Sequence, residues 1–344
     1  MMKKRHILHW AMGVVMTPLL GSCAADDIGD AGREGCDIIL GPAITVTSVT
    51  RSTDGRTLSD QFETGETVWL WAIKEKTPTE HITAWKLKAD NNGGFYSATT
   101  GADKYWPSDG SKLNVYALHG NFKKSTSISE GTTKWSNLLL THTVEANQST
   151  DNNKRLSDLL YSQTSSVAPN TGSVQLTFNH LLAKITVKLD LTNSKGINEG
   201  ELANAEVKLT NILPDATISN TSLTGNSGPT STTGTRTTII SGKIPSSILS
   251  GNVIGSAIVP LQNFGGGKGS DSENNVITIT LAYPDSRSFS YTPTPSVALT
   301  AGNEYIYTLK IINGELSVSS ITVKDFTNET TPKSWDIYVE PSGS

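Results

Sequence analysis

Apolar and polar residues alternate along much of this chain, elsewhere β-branched and aromatic residues cluster in short runs, and helical spacing is scarce. Residues 183–191, Ala-Lys-Ile-Thr-Val-Lys-Leu-Asp-Leu, are the clearest case: every odd position is apolar and every even one polar. That is the period of a strand with one face on a core and the other in water. Ile277, Ile279, Leu281 and Tyr283 alternate in the same way with Thr278, Thr280 and Ala282. Tyr305, Tyr307, Leu309 and Ile311 do so again, and after Asn313-Gly314 the pattern resumes through Leu316, Val318, Ile321 and Val323. Asn-Gly between two such runs predicts a hairpin. Residues 43–50 are β-branched almost throughout, while 68–73 and 113–118 are apolar on both faces, as buried central strands are. Helix is expected only as one or two turns at 157–161 and at 245–249, and loops are expected at 219–236 and 265–269.

Many short strands joined by polar loops predict an all-β protein made of β-sandwiches. A chain of 344 residues is long for one small sandwich, so two in series are expected. Their boundary is placed just after the strand ending at Leu191, near Asn193-Ser194-Lys195-Gly196. The expected domains are 52–192 and 193–328, followed by a tail at 329–344.

The N-terminus carries a different pattern. Lys3, Lys4 and Arg5 precede an apolar run over residues 7–20, which closes on Leu20-Gly21-Ser22-Cys23. The run falls short of the ~20 apolar residues of a membrane span and has the build of a signal peptide, residues 1–22. A cut before Cys23 would make that cysteine the lipid-bearing N-terminus, as in bacterial lipoproteins with a palmitate-carrying Cys. A plainer reading is a free cysteine behind an ordinary signal peptide. Residues 24–36 are acidic and Gly-rich and read as a tether. Tether and first strand together make up residues 23–51.

Composition removes several classes of function. The formal net charge is −4 and no Lys/Arg cluster follows the signal segment, so no nucleic-acid partner is expected. Cys36 has no intrachain partner if Cys23 is acylated. His81, His119, His142 and His180 are far apart in sequence and lack metal-ligand spacing. Gly265-Gly266-Gly267-Lys268-Gly269-Ser270 departs from phosphate-loop spacing, and no GxSxG elbow occurs. Asp151, Lys154, Arg155 and Asp158 read as a solvated loop. No catalytic residue, cofactor or metal is expected. Of Trp69, Trp71, Trp85, Trp106 and Trp135, most should be core, with a sugar-stacking platform of Trp85, Trp106 and Trp135 as the alternative.

Several separated stretches together resemble one family. They are Tyr105-Trp106-Pro107 with the strand at 113–118, Ser157-Asp158-Leu159-Leu160-Tyr161, Phe178-Asn179-His180-Leu181-Leu182-Ala183-Lys184-Ile185, Ala257-Ile258-Val259-Pro260-Leu261-Gln262, and the run from Leu299-Thr300-Ala301-Gly302 to Tyr305-Ile306-Tyr307-Thr308-Leu309. With Cys23 and its preceding residues, their order and spacing over about residues 20–325 resemble the fimbrillin family of Bacteroidetes, the FimA/Mfa-like lipoprotein pilins of type V pili. Leu261 and the Asp325-Phe326 region depart from the usual pattern. Asp26-Asp27 also resembles the surface-export signals of Bacteroidetes lipoproteins.

The resemblance implies two tandem transthyretin-like Greek-key β-sandwich domains, no enzymatic activity, and a subunit of a surface fimbria supporting adhesion. It also implies partners: other fimbrillin subunits (self or paralogous), the lipoprotein-processing machinery, an Arg-specific surface protease, and the outer membrane through the precursor's lipid. Cleavage after an Arg then removes the first strand, and a neighbour's strand takes its place. A sheet lacking a strand exposes unpaired N–H and C=O groups beside an apolar slot. A replacement strand satisfies both, each apolar side chain it buries contributing ~1.5–3 kcal/mol. Arg51-Ser52, directly after the strand at 43–50 and before a polar Gly-containing stretch, fits the cleavage site; Arg33 and Arg56 compete with it. Trp335, Ile337 and Val339 alternate with polar or mixed positions in the tail and form a candidate donor strand, or else an ordinary edge strand of the second sandwich. The alternative function is an outer-membrane glycan-binding lipoprotein that does not polymerise.

Overall fold

The structure is a computed structural model, and it describes residues 44–46, 62–90, 94–100, 104–122, 128–169, 174–224, 229–246, 251–266, 274–282 and 287–326. Strands dominate. The first part of the chain supplies β1 (Ile44–Val46), β2 (Thr67–Lys74), β3 (Glu80–Ala89), β4 (Phe95–Ser97), β5 (Leu113–His119), β6 (Leu139–Thr143), β7 (Leu160–Val167) and β8 (Leu176–His180). The remainder supplies β9 (Ala183–Leu189), β10 (Glu206–Ile212), β11 (Asp215–Ser219), β12 (Ser231–Thr233), β13 (Thr237–Lys243), β14 (Asn252–Val259), β15 (Asn263–Phe264), β16 (Val276–Thr280), β17 (Ser288–Tyr291), β18 (Val297–Ala298), β19 (Asn303–Ile312) and β20 (Glu315–Asp325). The all-β class expected from the alternation is what the chain adopts.

A seven-stranded sheet runs β1-β8-β7-β5-β2-β3-β4. Its neighbours are antiparallel except β1 and β8, which run parallel. β2 lies inside this sheet and feeds both faces: Val68, Leu70 and Ala72 enter one apolar cluster and Trp71 the other. Its two-sided apolar sequence therefore matches its position. The second half builds two four-stranded sheets, β14-β9-β19-β20 and β13-β10-β16-β17. Their inward residues, among them Ile185, Val187, Val207, Leu209, Ile277, Ile279, Tyr307 and Leu309, share one core with Trp71, Tyr116, Leu118 and Tyr161 of the seven-stranded sheet. β6 joins the two halves directly by pairing with β11.

β9 differs from its expected setting in two respects. It hydrogen-bonds to β14 and, in parallel, to β19, so its partners all come from the second half of the chain. Its polar face is not in water either, since Lys184 is 7% and Thr186 3% exposed. Across the strands Lys184 is in register with Glu304 of β19, and Glu304 with Lys324 of β20. The Lys184 ammonium lies 3.1 Å and the Lys324 ammonium 3.2 Å from the Glu304 carboxylate, and Thr186 donates to it at 2.5 Å. Burial by itself raises the Glu304 carboxyl, but the two lysines and Thr186 outweigh it and hold the group below the usual carboxylate range.

The Asn313-Gly314 hairpin is present between β19 and β20. Both residues have positive φ, 50° and 85°, the conformation that selects Asn-Gly in such turns. The helix expected at 157–161 lies earlier, as α1 (Asp151–Ser157), with Leu160 and Tyr161 already in β7. Thr150 caps it by accepting the Asn153 N–H. The expected solvated loop at Asp151–Asp158 is thus this helix and its end, with Lys154 and Asp158 buried. The region 219–236 contains a short helix at Asn220–Thr224 and β12 rather than loop alone.

Candidate functional site

β8 alternates buried and exposed residues along its length: Leu176, Phe178 and His180 point inward, Thr177 and Asn179 outward. Its first half pairs with β1, in the register Ile44↔Leu176, Thr45↔Thr177 and Val46↔Phe178. Its last two residues pair with β7, Asn179 with Tyr161 and His180 with Leu160. β8 therefore presents one side of its N-terminal half to a strand of only three residues. Leu176 and Phe178 belong to an apolar cluster with Val68, Leu70, Trp85, Leu87, Val115 and Val174. The Phe178 ring meets Phe62 edge-on at 5.1 Å and Phe95 at 6.4 Å.

The end of β8 is polar but sealed. The His180 Nδ1 lies 2.9 Å from the Asp158 carboxylate, with both groups buried. Its other ring nitrogen is buried with no hydrogen-bond partner. The Phe326 ring stacks on the imidazole at 3.8 Å between centroids and 25° between planes. This pair resembles the acid–base half of a catalytic triad, but its free nitrogen faces packing rather than a cleft. Among the described residues, no three His, Cys, Asp or Glu side chains form a group able to hold a metal.

An open cleft of about 680 Å³ lies nearby, lined by Trp69, Lys86, His119, Asn121, Phe122 and the turn at Glu63–Thr67, among others. The Lys86 ammonium sits 5.6 Å from the Trp69 ring centroid. Arg155, itself half-buried, pairs with Glu63 at 2.8 Å on its rim.

Cys23, Arg51, Ser52, Trp335, Ile337 and Val339, with the competing Arg33 and Arg56, all lie outside the described residues. What the structure does place is β1, just before Arg51, and Phe62, just after the span that contains it. The proposed sugar platform is overturned: Trp85, Trp106 and Trp135 are only 4%, 2% and 3% exposed. Trp85 packs in the Phe178 cluster, and Trp135 stacks on Tyr116 at 4.3 Å. Sequence alone did not single out Phe62, Asp158, His180 and Phe326 as a group. The Phe-x-His spacing at 178 and 180 was the available signal, since alternation puts both side chains on one face of a strand.

A family model described as fimbrillin-like matches residues 50–325. No curated protein sequence matches the chain. Among solved structures, a candidate cell adhesion protein from Bacteroides ovatus superposes with a TM-score of 0.62 at 15% identity, over 85% of this chain and 98% of the other. A second candidate cell adhesion protein, from Bacteroides uniformis, gives 0.55 at 19% identity, over 77% of this chain and 93% of the other. At these identities the two structures share the fold.

Proposed function

The chain belongs to the fimbrillin-like family, and from that premise we propose that it is a structural, non-catalytic subunit of a cell-surface fimbria that assembles by strand exchange at β8. In this reading the precursor is exported as a lipoprotein through Cys23, held at the outer membrane, and cut after Arg51 by an Arg-specific protease. The cut releases β1 together with the lipid. The vacated side of β8 then receives the segment around Trp335, Ile337 and Val339 from a neighbouring subunit, self or paralogous. Two sandwich domains form part of the same proposal, with the division drawn ahead of β9, whose strand partners all lie in the second half.

The observation that carries this reading is the pairing of β1. It is an edge strand, it pairs over three residues, and it runs parallel to β8, the less stable of the two ladder types per residue. Its partners in the sheet, Leu176 and Phe178, are 1% and 0% exposed. A strand so weakly held beside so apolar a stretch of β8 is easily displaced, and a longer antiparallel strand gains both ladder bonds and buried area in its place.

The test is the N-terminal residue of the protein recovered from the cell surface, with assembly followed on a denaturing gel after treatment with an Arg-specific protease. Ser52 at the N-terminus and a ladder of oligomers are expected. Cys23 at the N-terminus of surface fibres, or undiminished assembly by Arg51→Ala, would overturn the scheme. Glycan binding by Trp85, Trp106 and Trp135 has no support, since all three rings are internal.

A further inference from the structure

Phe326 follows directly on β20, and residues 327–344 continue from it. Its side chain is fully buried. One ring contact is the stack on His180 at 3.8 Å. The Lys184 ammonium lies 5.5 Å from the same ring's centroid, close enough for a cation–π attraction. The Phe326 N–H donates to the Gly302 carbonyl at 2.5 Å, and the Gly302 N–H in turn donates to the Leu182 carbonyl at 2.9 Å. Asp158 holds His180, and Glu304 holds Lys184. The end of β8 and the start of β9 thus meet the Phe326 ring, while its backbone ties the end of β20 to the residue before β19.

The rest of β20 is held less firmly. It is an edge strand bonded to β19 alone. Ser319 and Ser320 are exposed and Val318, Ile321 and Val323 only half-buried. An edge strand pulled from its end opens one pair of residues after another, so each step resists with few bonds. Fixing the last residue prevents that sequence from starting.

We propose that Phe326 is an anchor that fixes the root of the C-terminal segment to the end of β8 and carries tension between them. This rests on the strand-exchange reading, in which residues 327–344 supply the donated strand and β8 receives one. Force on the outgoing tail then enters at Phe326 and crosses to His180. From there it reaches the strand that grips the incoming neighbour. β20 lies outside that path and is spared peeling.

The first measurement uses the unassembled full-length chain, so it does not depend on strand exchange. Hydrogen exchange is compared between wild type, Phe326→Leu, Phe326→Ala and His180→Gln. Phe326→Ala is expected to speed exchange over residues 320–325 by roughly tenfold, with β2 and β5 unchanged. Phe326→Leu, which keeps bulk but loses the stack, and His180→Gln are expected to fall between. Equal protection of β20 in all four proteins would overturn the anchor. So would uniform acceleration along the chain, which marks general destabilisation. The second measurement stretches assembled fibres by optical tweezers, where Phe326→Ala fibres should lengthen at lower force than wild type. Fibres of equal strength would overturn the force path. Absence of any fibre after Arg-specific cleavage would overturn strand exchange, and the exchange data would still decide whether Phe326 anchors β20.

Discussion

Phe62 and Phe178 meet edge to face, with ring centroids 5.1 Å apart and planes at 71°. Val46 of β1 is in register with the same Phe178. Val46 and Phe62, the described residues on either side of the span that contains Arg51, thus both neighbour Phe178. Cutting this span separates β1 from the chain covalently and leaves Phe62, with its ring, on the subunit. The ring of Phe178 keeps Phe62 and Phe95 as partners while the backbone edge of β8 loses its own.

Release of β1 should loosen β8 selectively. After Arg-specific cleavage and removal of the N-terminal fragment, amides in residues 174–180 should exchange roughly tenfold faster, with β2 and β5 little changed. Adding a synthetic peptide of residues 43–50 should restore protection. Unchanged protection of β8 after the fragment is removed would show that β1 is not what shields this edge.

Phe178→Ala should destabilise the subunit by about 3–5 kcal/mol, because it removes a fully buried ring that cannot be replaced by collapse of the surrounding strands. Phe62 is only half-buried, so Phe62→Ala should cost less, on the order of 1–2 kcal/mol. Chemical denaturation midpoints of the two variants check the order; the reverse order would remove Phe178 from the centre of this cluster.

His142 in β6 is fully buried. Its Nδ1 accepts the Asn121 N–H at 2.9 Å, which leaves Nε2 to donate to the Ser157 carbonyl, also at 2.9 Å. Burial pushes its pKa down from 6.5 to about 4. The unfolded chain then takes up this proton below about pH 6.5 while the folded one holds out to about pH 4, so in that window the unfolded state carries more protons. Stability contributed by neutral His142 is complete above about pH 6.5 and is lost as pH falls towards 4, by an amount on the order of 3 kcal/mol. Thermal melts across this window should show the decline. His142→Gln should start from a lower melting temperature and fall less steeply; an equally steep fall would assign the pH dependence to other groups.

The strands themselves were legible because side-chain period is a local property. Val187, Leu189, Tyr307 and Leu309 announce their inward faces within a few residues, and Asn313-Gly314 announces its turn. Partners are not local. β9 lies parallel to β19 across more than a hundred residues of chain, and nothing in residues 183–189 specifies that neighbour. For the same reason Lys184 and Thr186 suggested a wet face, and only the arrival of Glu304 and Lys324 makes their burial tolerable. Trp85, Trp106 and Trp135 carried no mark that separated core from platform. The Asp158–His180–Phe326 assembly joins residues from three separate segments, so no single run of sequence contains it.

Gly314 isolates a backbone effect. Its φ is 85° and an added Cβ would meet nothing within 4 Å, so Gly314→Ala introduces strain without a clash. The expected loss is about 1 kcal/mol, seen as a small drop in melting temperature with the hairpin register unchanged. A neutral result would mean that the turn relaxes to another type.

Gly242 tests the opposite case, close approach with ordinary backbone angles. It lies in β13, in register with Val207 of β10, and packs against β14 of the other sheet. A Cβ there would come within 2.5 Å of the Ile254 carbonyl oxygen and 2.9 Å of the Gly255 Cα. Both are backbone atoms of a strand already bonded to β9, so they cannot rotate away as a side chain would. Gly255 mirrors the arrangement, since its own Cβ would meet the Ser241 Oγ at 2.7 Å and Val207 Cγ1 at 3.0 Å. The two glycines thus set the distance at which these sheets meet, and Gly242→Ala should destabilise by about 1–3 kcal/mol through overpacking. Gly200, in the short helix α2 (Glu199–Leu202), is the matched control because nothing lies within 4 Å of its Cβ position. Gly200→Ala should be neutral or slightly stabilising, as alanine is the better helix former. Denaturation curves for the two variants measured side by side should separate clearly, and if they coincide, contact between β13 and β14 does not depend on the missing side chain.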